Sequence, residues 1–278
     1  MSRIRRIAVA FAVVGVLGVA APAAALASTL ITISGATASY PLVSALARKY
    51  EKVEKHKVRF KITQGGAQVG INDVAAGRVS IGDVSRNPKS TDPKGLYFYP
   101  IAKYGVCVVT NNSNPLSNLT AAQVESIFAG KTRSWSEVPG AKATGTIDLI
   151  SRTSTAGVLS SFETLLNGGK KVSTLASQES SESLLKQAVQ SDPNSIGFLS
   201  NYNADNGGVN SVGYDGVGCT KANVASGQYA GIALFYEVTK GEAKGASAAF
   251  ISWIDKAKAA QSIISSEWVP VASGATSG

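Results

Sequence analysis

A mixed α/β fold built on a mainly parallel sheet is predicted by three features of this 278-residue sequence. Strand and helix patterns alternate along the chain. The strand segments are short and apolar. The passages from strand to helix carry glycine and small hydroxyl residues.

Residues 1–27 stand apart from the fold. "MSRIRR" is basic, "IAVAFAVVGVLGVA" is apolar and about the length of a signal-peptide core, and Ala25 and Ala27 give the spacing a signal peptidase reads. Cleavage after Ala27 is expected, with a mature chain from Ser28 that is periplasmic or secreted. The long apolar run leaves an uncleaved membrane anchor as the rival. No cysteine lies at the cleavage site, so a lipoprotein anchor is not expected.

The elements follow in order. "TLITIS" (29–34) reads as a strand. "YPLVSALARKYEKV" (40–53) places Leu42, Val43, Leu46 and Tyr50 on one helical face. "KVRFKIT" alternates as a second strand, "VGINDVAAGR" reads as a helix and "SIGDVS" as a third strand. The run "YFYPIAKYGVCVVTNN" (97–112) exceeds a usual strand and suits a crossing between two halves. A second α/β set follows. It has a helix at 120–130 with Thr120 as N-cap and Gly130 at its end, a strand at 146–151, helices at 155–166 and 181–192, and a strand at 195–200. The chain after Tyr202 is rich in glycine and asparagine. "IALFYEVTK" (232–240) is the last strand, and one amphipathic helix is expected over 245–264. The tail "ASGATSG" is expected to be disordered.

Composition excludes several functions. The mature chain keeps 24 Lys and Arg against 18 Asp and Glu, a net charge of about +6 that is scattered rather than clustered. A nucleic-acid partner is not expected, because such proteins concentrate their basic residues. A mildly positive field suits a small anion. His56 is the lone histidine, so neither a transition-metal site nor a cysteine–histidine pair has the material, and no cofactor is implied. No G-x-S-x-G elbow is present, so no catalytic residue is assigned and the chain reads as a non-enzyme. For Cys107 and Cys219, export makes a disulfide the first reading and two buried thiols the second. Trp135 and Trp253 read as core residues.

Three loops join a strand to a helix and one follows a strand. They are "SGATASYP" (34–41), "QGGAQVG" (64–70), "RTSTAGV" (152–158) and "SRNPKS" (85–90). Such loops gather at the carboxyl edge of a parallel sheet, where helix starts offer unpaired N–H groups to an anion. The competing reading of the first is ordinary capping by Ser39 or Thr37, with Pro41 in the first turn. The second lacks the Lys-Ser/Thr pair of a P-loop.

These segments resemble the phosphate-binding proteins of ABC importers, within the type II periplasmic binding-protein superfamily. "ISGATASYPLVSALARKY" is similar to the family's opening loop and helix. "TQGGAQVGINDVAAGRVSIGDVSR" resembles its glycine loop and following strand. "NLTAAQVESIFAGKTRSWSEV" is the most specific match, and "PNSIGFLS" and "AAFISWI…SIISSEWVPV" match in order.

The resemblance implies a two-lobe fold, each lobe a mainly parallel sheet flanked by helices, hinged by crossover strands. Residues 28–104 would open lobe I, 105–205 form lobe II, and 206–278 return to lobe I. Phosphate or a related oxyanion would sit in the interlobe cleft for delivery to a membrane ABC permease by a monomeric carrier. A non-transport sensor or envelope protein on the same scaffold is the alternative. Ser39 would donate its hydroxyl, Tyr40 its backbone N–H, Arg152 a guanidinium and Gly157 a backbone N–H. Ala67, Ser85, Arg86 and Ala156 would complete the lining. The family has Ser at the positions of Ala67 and Ala156 and Thr at that of Val158, so three hydroxyls are absent. Each hydrogen bond to a charged group contributes about 1.5–3 kcal/mol. The resemblance therefore implies weakened capture unless Gln68, Thr153, Ser154 or Thr155 substitutes. It also places Cys107 and Cys219 at the crossing and the return, where a bond would staple the hinge.

Overall fold

The structure, a computed structural model, describes residues 28–272. The expected signal peptide and the tail from 273 lie outside the described residues. Strand β1 (Thr29–Gly35) buries Ile31 and Ile33. Helix α1 (Tyr40–Val53) buries Leu42, Val43, Leu46 and Tyr50, the face its periodicity predicts. β2 (Val58–Gln64) and β3 (Ile81–Val84) pair with β1 in parallel on either side, and α2 (Ala67–Ala75) joins them. Tyr50, Phe60, Phe250 and Trp253 form one aromatic cluster over this half.

The long apolar run is one 15-residue strand, β4 (Leu96–Thr110). Its residues 96–105 lie antiparallel to β10 (Ile232–Lys240), which in turn is antiparallel to β3. Its remaining residues, Val106–Thr110, pair with β8 (Ser195–Ser200). β4 therefore crosses from one half of the molecule to the other.

The second half begins with β5 (Asn118–Leu119) and α3 (Ala121–Phe128), whose Thr120 forms the expected cap as a complete capping box. Then come β6 (Asp148–Arg152), α4 (Gly157–Leu165), β7 (Ser177–Glu179) and α5 (Glu182–Ser191). β6 runs parallel between β8 and β7. The strand order is β2-β1-β3-β10-β4-β8-β6-β7. Every antiparallel strand pair among the described residues includes β4 or β10, so each lobe's own sheet is parallel and the crossing strands carry the reversals. Phe162 stacks on Phe198 beside Phe128 in the second lobe's core. Trp135 is buried there and donates its indole N–H to the Asn194 carbonyl.

Three features differ from expectation. After β8, the glycine-rich stretch holds α6 (Asn201–Asp205), β9 (Asn210–Tyr214) and α7 (Lys221–Ser226). β9 pairs with Val108–Thr110 of β4 and with β5, so the chain is still on the second lobe after residue 206. We place the return at Ile232, where β10 begins. The C-terminal helix is two, α8 (Gly245–Lys256) and α9 (Lys258–Glu267), broken at Ala257. Gln261 donates its side-chain amide to the carbonyls of Ile254 and Asp255, satisfying the end of α8.

Cys107 and Cys219 are joined by a disulfide across a sequence separation of 112. Cys219 packs on Gly105, at the point where β4 changes lobe. A Cβ added to Gly105 would lie 2.9 Å from its sulfur.

Candidate functional site

Helices α1, α2 and α4 all start at strand ends that face one another across the lobes. Their N-cap residues, Ser39, Gly66 and Ala156, make no side-chain capping bond. Helices α3, α5 and α7 are capped by Thr120, Ser181 and Thr220. The starts of α1 and α4 thus keep first-turn amides without a side-chain cap, with the positive end of each helix dipole behind them, whereas α2 gives its Gln68 amide to the Thr155 carbonyl. The simple capping reading of Ser39 fails. Its hydroxyl lies 2.6 Å from both carboxylate oxygens of Asp83 on β3.

The starts of α2 and α4 touch. A Cβ on Gly157 would lie 2.5 Å from Ser85 Oγ and 2.8 Å from Ala67 Cβ. Only glycine allows α4 to press its first amide this close to the β3 loop. Three further bonds join the lobes. Gln68 N donates to the Thr155 carbonyl at 3.0 Å, Ser161 Oγ donates to the Ser85 carbonyl at 3.2 Å, and Arg152 Nη2 donates to Thr37 Oγ1 at 3.0 Å. Tyr104 of β4 also donates its hydroxyl to Ser85 O.

Arg152 ends β6 and is 1% exposed. Its Nε donates to the Glu179 carbonyl and its Nη2 also to the Ser180 carbonyl. Its Nη1 is buried with no hydrogen-bond partner. Burial pulls the pKa of the guanidinium down, against the opposing pull of Glu182 and Glu179. A buried donor without an acceptor costs about 1–3 kcal/mol, so Nη1 has the capacity to donate to one further acceptor.

Arg86 is committed elsewhere. Its two terminal nitrogens donate to Asp92 at 2.6 and 2.9 Å, to Gln68 Oε1 and to the Asn87 carbonyl. Burial alone would raise the Asp92 pKa, but bonds from Arg86 and the Lys89 N–H outweigh it and hold it below the usual range. Gln68, a possible substitute for a missing hydroxyl, is taken up by Arg86 and by Asn72. Tyr40 places its side chain at the surface and its amide in the first turn of α1. Ala67, Ala156 and Val158 are buried and apolar. Thr155 does line the cleft. With Thr37, Gln64, Gly65, Thr153, Ser180, Ser181 and Ser183 it bounds a cavity of about 570 Å³.

The structure thus brings Ser85, Ala67 and Gly157 together, and ties Arg152 to Thr37 rather than to Ser39. Sequence reasoning missed Thr37, Asp83 and Glu237. Asp83 and Glu237 stand opposite each other on β3 and β10, both fully buried. Burial first, and then Ser39 acting in the other direction, leave the Asp83 pKa raised to about 7. Burial and the Asp83 charge push Glu237 well above the usual range. A charged residue inside a short buried strand was the one signal available. Among the described residues no cluster of three or more His, Cys, Asp or Glu is arranged to hold a metal.

Known proteins share this fold. Residues 20–257 match the family described as a PBP superfamily domain. The phosphate-binding protein PstS of Bacillus subtilis is 28% identical over 250 residues, covering 88% of this chain and 82% of that protein. A solved structure from Clostridium perfringens, assigned as a phosphate ABC transporter substrate-binding protein with bound phosphate, superposes with a TM-score of 0.81. It is 29% identical and covers 87% of this chain and 100% of its own. A phosphate transport receptor from Vibrio cholerae, at 24% identity and a TM-score of 0.71, shares the fold over 87% of this chain.

Proposed function

The chain belongs to the PBP superfamily, and within it we propose an exported solute-binding protein that captures phosphate or a related oxyanion for the permease of an ABC importer. The observation that carries this reading is Arg152. It is buried at the end of β6, reaches across to Thr37, and keeps one guanidinium nitrogen without a partner. Relatives of 28% and 29% identity bear phosphate-binding descriptions.

The proposed mechanism has no catalytic step. An anion between the lobes accepts hydrogen bonds from Arg152 and from the first amides of α1 and α4, near Tyr40 and Gly157. Ser85 and Ala67 form the opposing wall. Only the closed arrangement presents both sets of donors at once, so the anion shifts the open–closed equilibrium towards closure. The permease then reads the closed form. The relatives favour transport over a sensor or envelope role on the same scaffold. Among the described residues no helix is long and apolar enough to cross a membrane; the apolar run before Ala27 is read as a cleaved signal peptide.

Isothermal titration of the mature protein with phosphate, sulfate, arsenate and molybdate is the test. Saturable binding of one anion per chain is expected. No heat from any of the four at millimolar concentration overturns the reading.

A further inference from the structure

Asp83 and Glu237 are two buried carboxyls that take part in no ion pair among the described residues. They face each other in register across β3 and β10, and both oxygens of Glu237 lack a hydrogen-bond partner. Ser39 reaches the Asp83 carboxyl from the start of α1, while Gly35 and Ala36 of β1 and Gly70 of α2 crowd the Asp83 backbone carbonyl. Tyr99 stands opposite Glu237 on β4, and its hydroxyl accepts the Ala243 N–H. Two like charges at this separation in a dry interior cannot both be ionised, so the pair retains a proton. Among the described residues, Ser39 is the side chain hydrogen-bonded to the Asp83 carboxyl.

A hydroxyl has one proton to donate. Facing an ionised Asp83, Ser39 donates to the carboxylate and turns only lone pairs elsewhere. Facing a protonated Asp83, Ser39 accepts and its own proton is released for another acceptor. Ser39 directly precedes Tyr40, whose amide the reading above gives to the anion, and Asp83 stands two residues before Ser85, which meets Gly157 at the start of α4.

We propose that Asp83 is a positioning residue for anion capture. It decides the direction of the Ser39 hydroxyl, and anion binding is strongest while Asp83 is protonated. The proton moves from Asp83 towards Ser39 Oγ as a hydrogen bond, and the Ser39 proton turns to an oxygen of the anion. Protonation also removes a negative charge from beside the anion. This proposal rests on the oxyanion-binding reading above.

Titration with inorganic phosphate from pH 5.5 to 8.5, in the mature protein and in Asp83→Asn, tests it. The asparagine amide donates to Ser39 at every pH, and the ionisation of phosphate itself cancels in the ratio of the two affinities. The expected ratio, variant over parent, is flat at the acid end and climbs by up to about tenfold per pH unit on the alkaline side. Glu237→Gln puts a neutral group where the carboxyl stays protonated while Asp83 ionises, so its profile should follow the parent's. If Asp83→Asn does not fold, Ser39→Ala, which lacks the hydroxyl that Asp83 turns, is the reference, and the parent's advantage over it should shrink as pH rises. A ratio that stays flat across the range overturns the positioning role while the binding reading stands. No phosphate binding in any of the proteins overturns both.

Discussion

Arg86 and Arg152 are both buried arginines near the carboxyl ends of strands, one in each lobe, and their surroundings differ. Arg86 meets a carboxylate, a side-chain amide and a carbonyl, and both its terminal nitrogens are occupied. Arg152 meets two carbonyls and a hydroxyl, and one nitrogen has no partner. Ser39, also on the first lobe, is likewise turned to an internal acid. The first lobe thus offers mainly backbone amides, held in place by internal side-chain bonds. The second lobe offers the charge. A residue type at a cleft does not establish a ligand contact; what its nitrogens already hold decides that.

The comparison can be broken by experiment. Arg152→Ala should lower phosphate affinity by roughly 10- to 100-fold, since the charge-assisted bonding of its one free nitrogen is lost. Titration calorimetry checks this, and an equal affinity loss in Arg86→Ala would erase the distinction. Asp92→Ala should act on stability instead. It leaves a guanidinium buried without its partner, which costs about 3–5 kcal/mol. Side-chain exposures of 3% and 6% place this pair in the interior. Denaturant unfolding should show the loss, with the affinity of the folded fraction little changed. The smallest effect is expected from Ala156→Ser. It restores one hydroxyl at the start of α4, adding about 1 kcal/mol as a cap or about tenfold in affinity as an anion donor. A rise in melting temperature without tighter phosphate binding would mean that the cap prevails.

Much of the fold was legible because its elements obey simple periods. The α1 face, the capped start of α3 and the unusual length of the 97–112 run each state their own structure. The stretch after Tyr202 was not legible. β9 is held by pairing with β4 a hundred residues earlier, which local composition does not show. The break at Ala257 was equally hidden, because "AKAAQ" is helix-forming and the interruption comes from Gln261 folding back onto α8. At the site, glycines and hydroxyls at strand ends located Gly157, Ser85 and Arg152. The Asp83–Glu237 pair was invisible, because an antiparallel register joins residues 154 positions apart. The same is true of Arg86: its sequence context resembles a ligand loop, and only the folded position of Asp92 shows that its nitrogens are occupied.

β4 belongs to both sheets at once. A nick or truncation between Gly105 and Val106 would strip one edge from each half and expose unpaired backbone groups on both. Neither fragment would inherit a finished core, so the molecule has no stable half. Its two jaws therefore fold and unfold as a single cooperative unit.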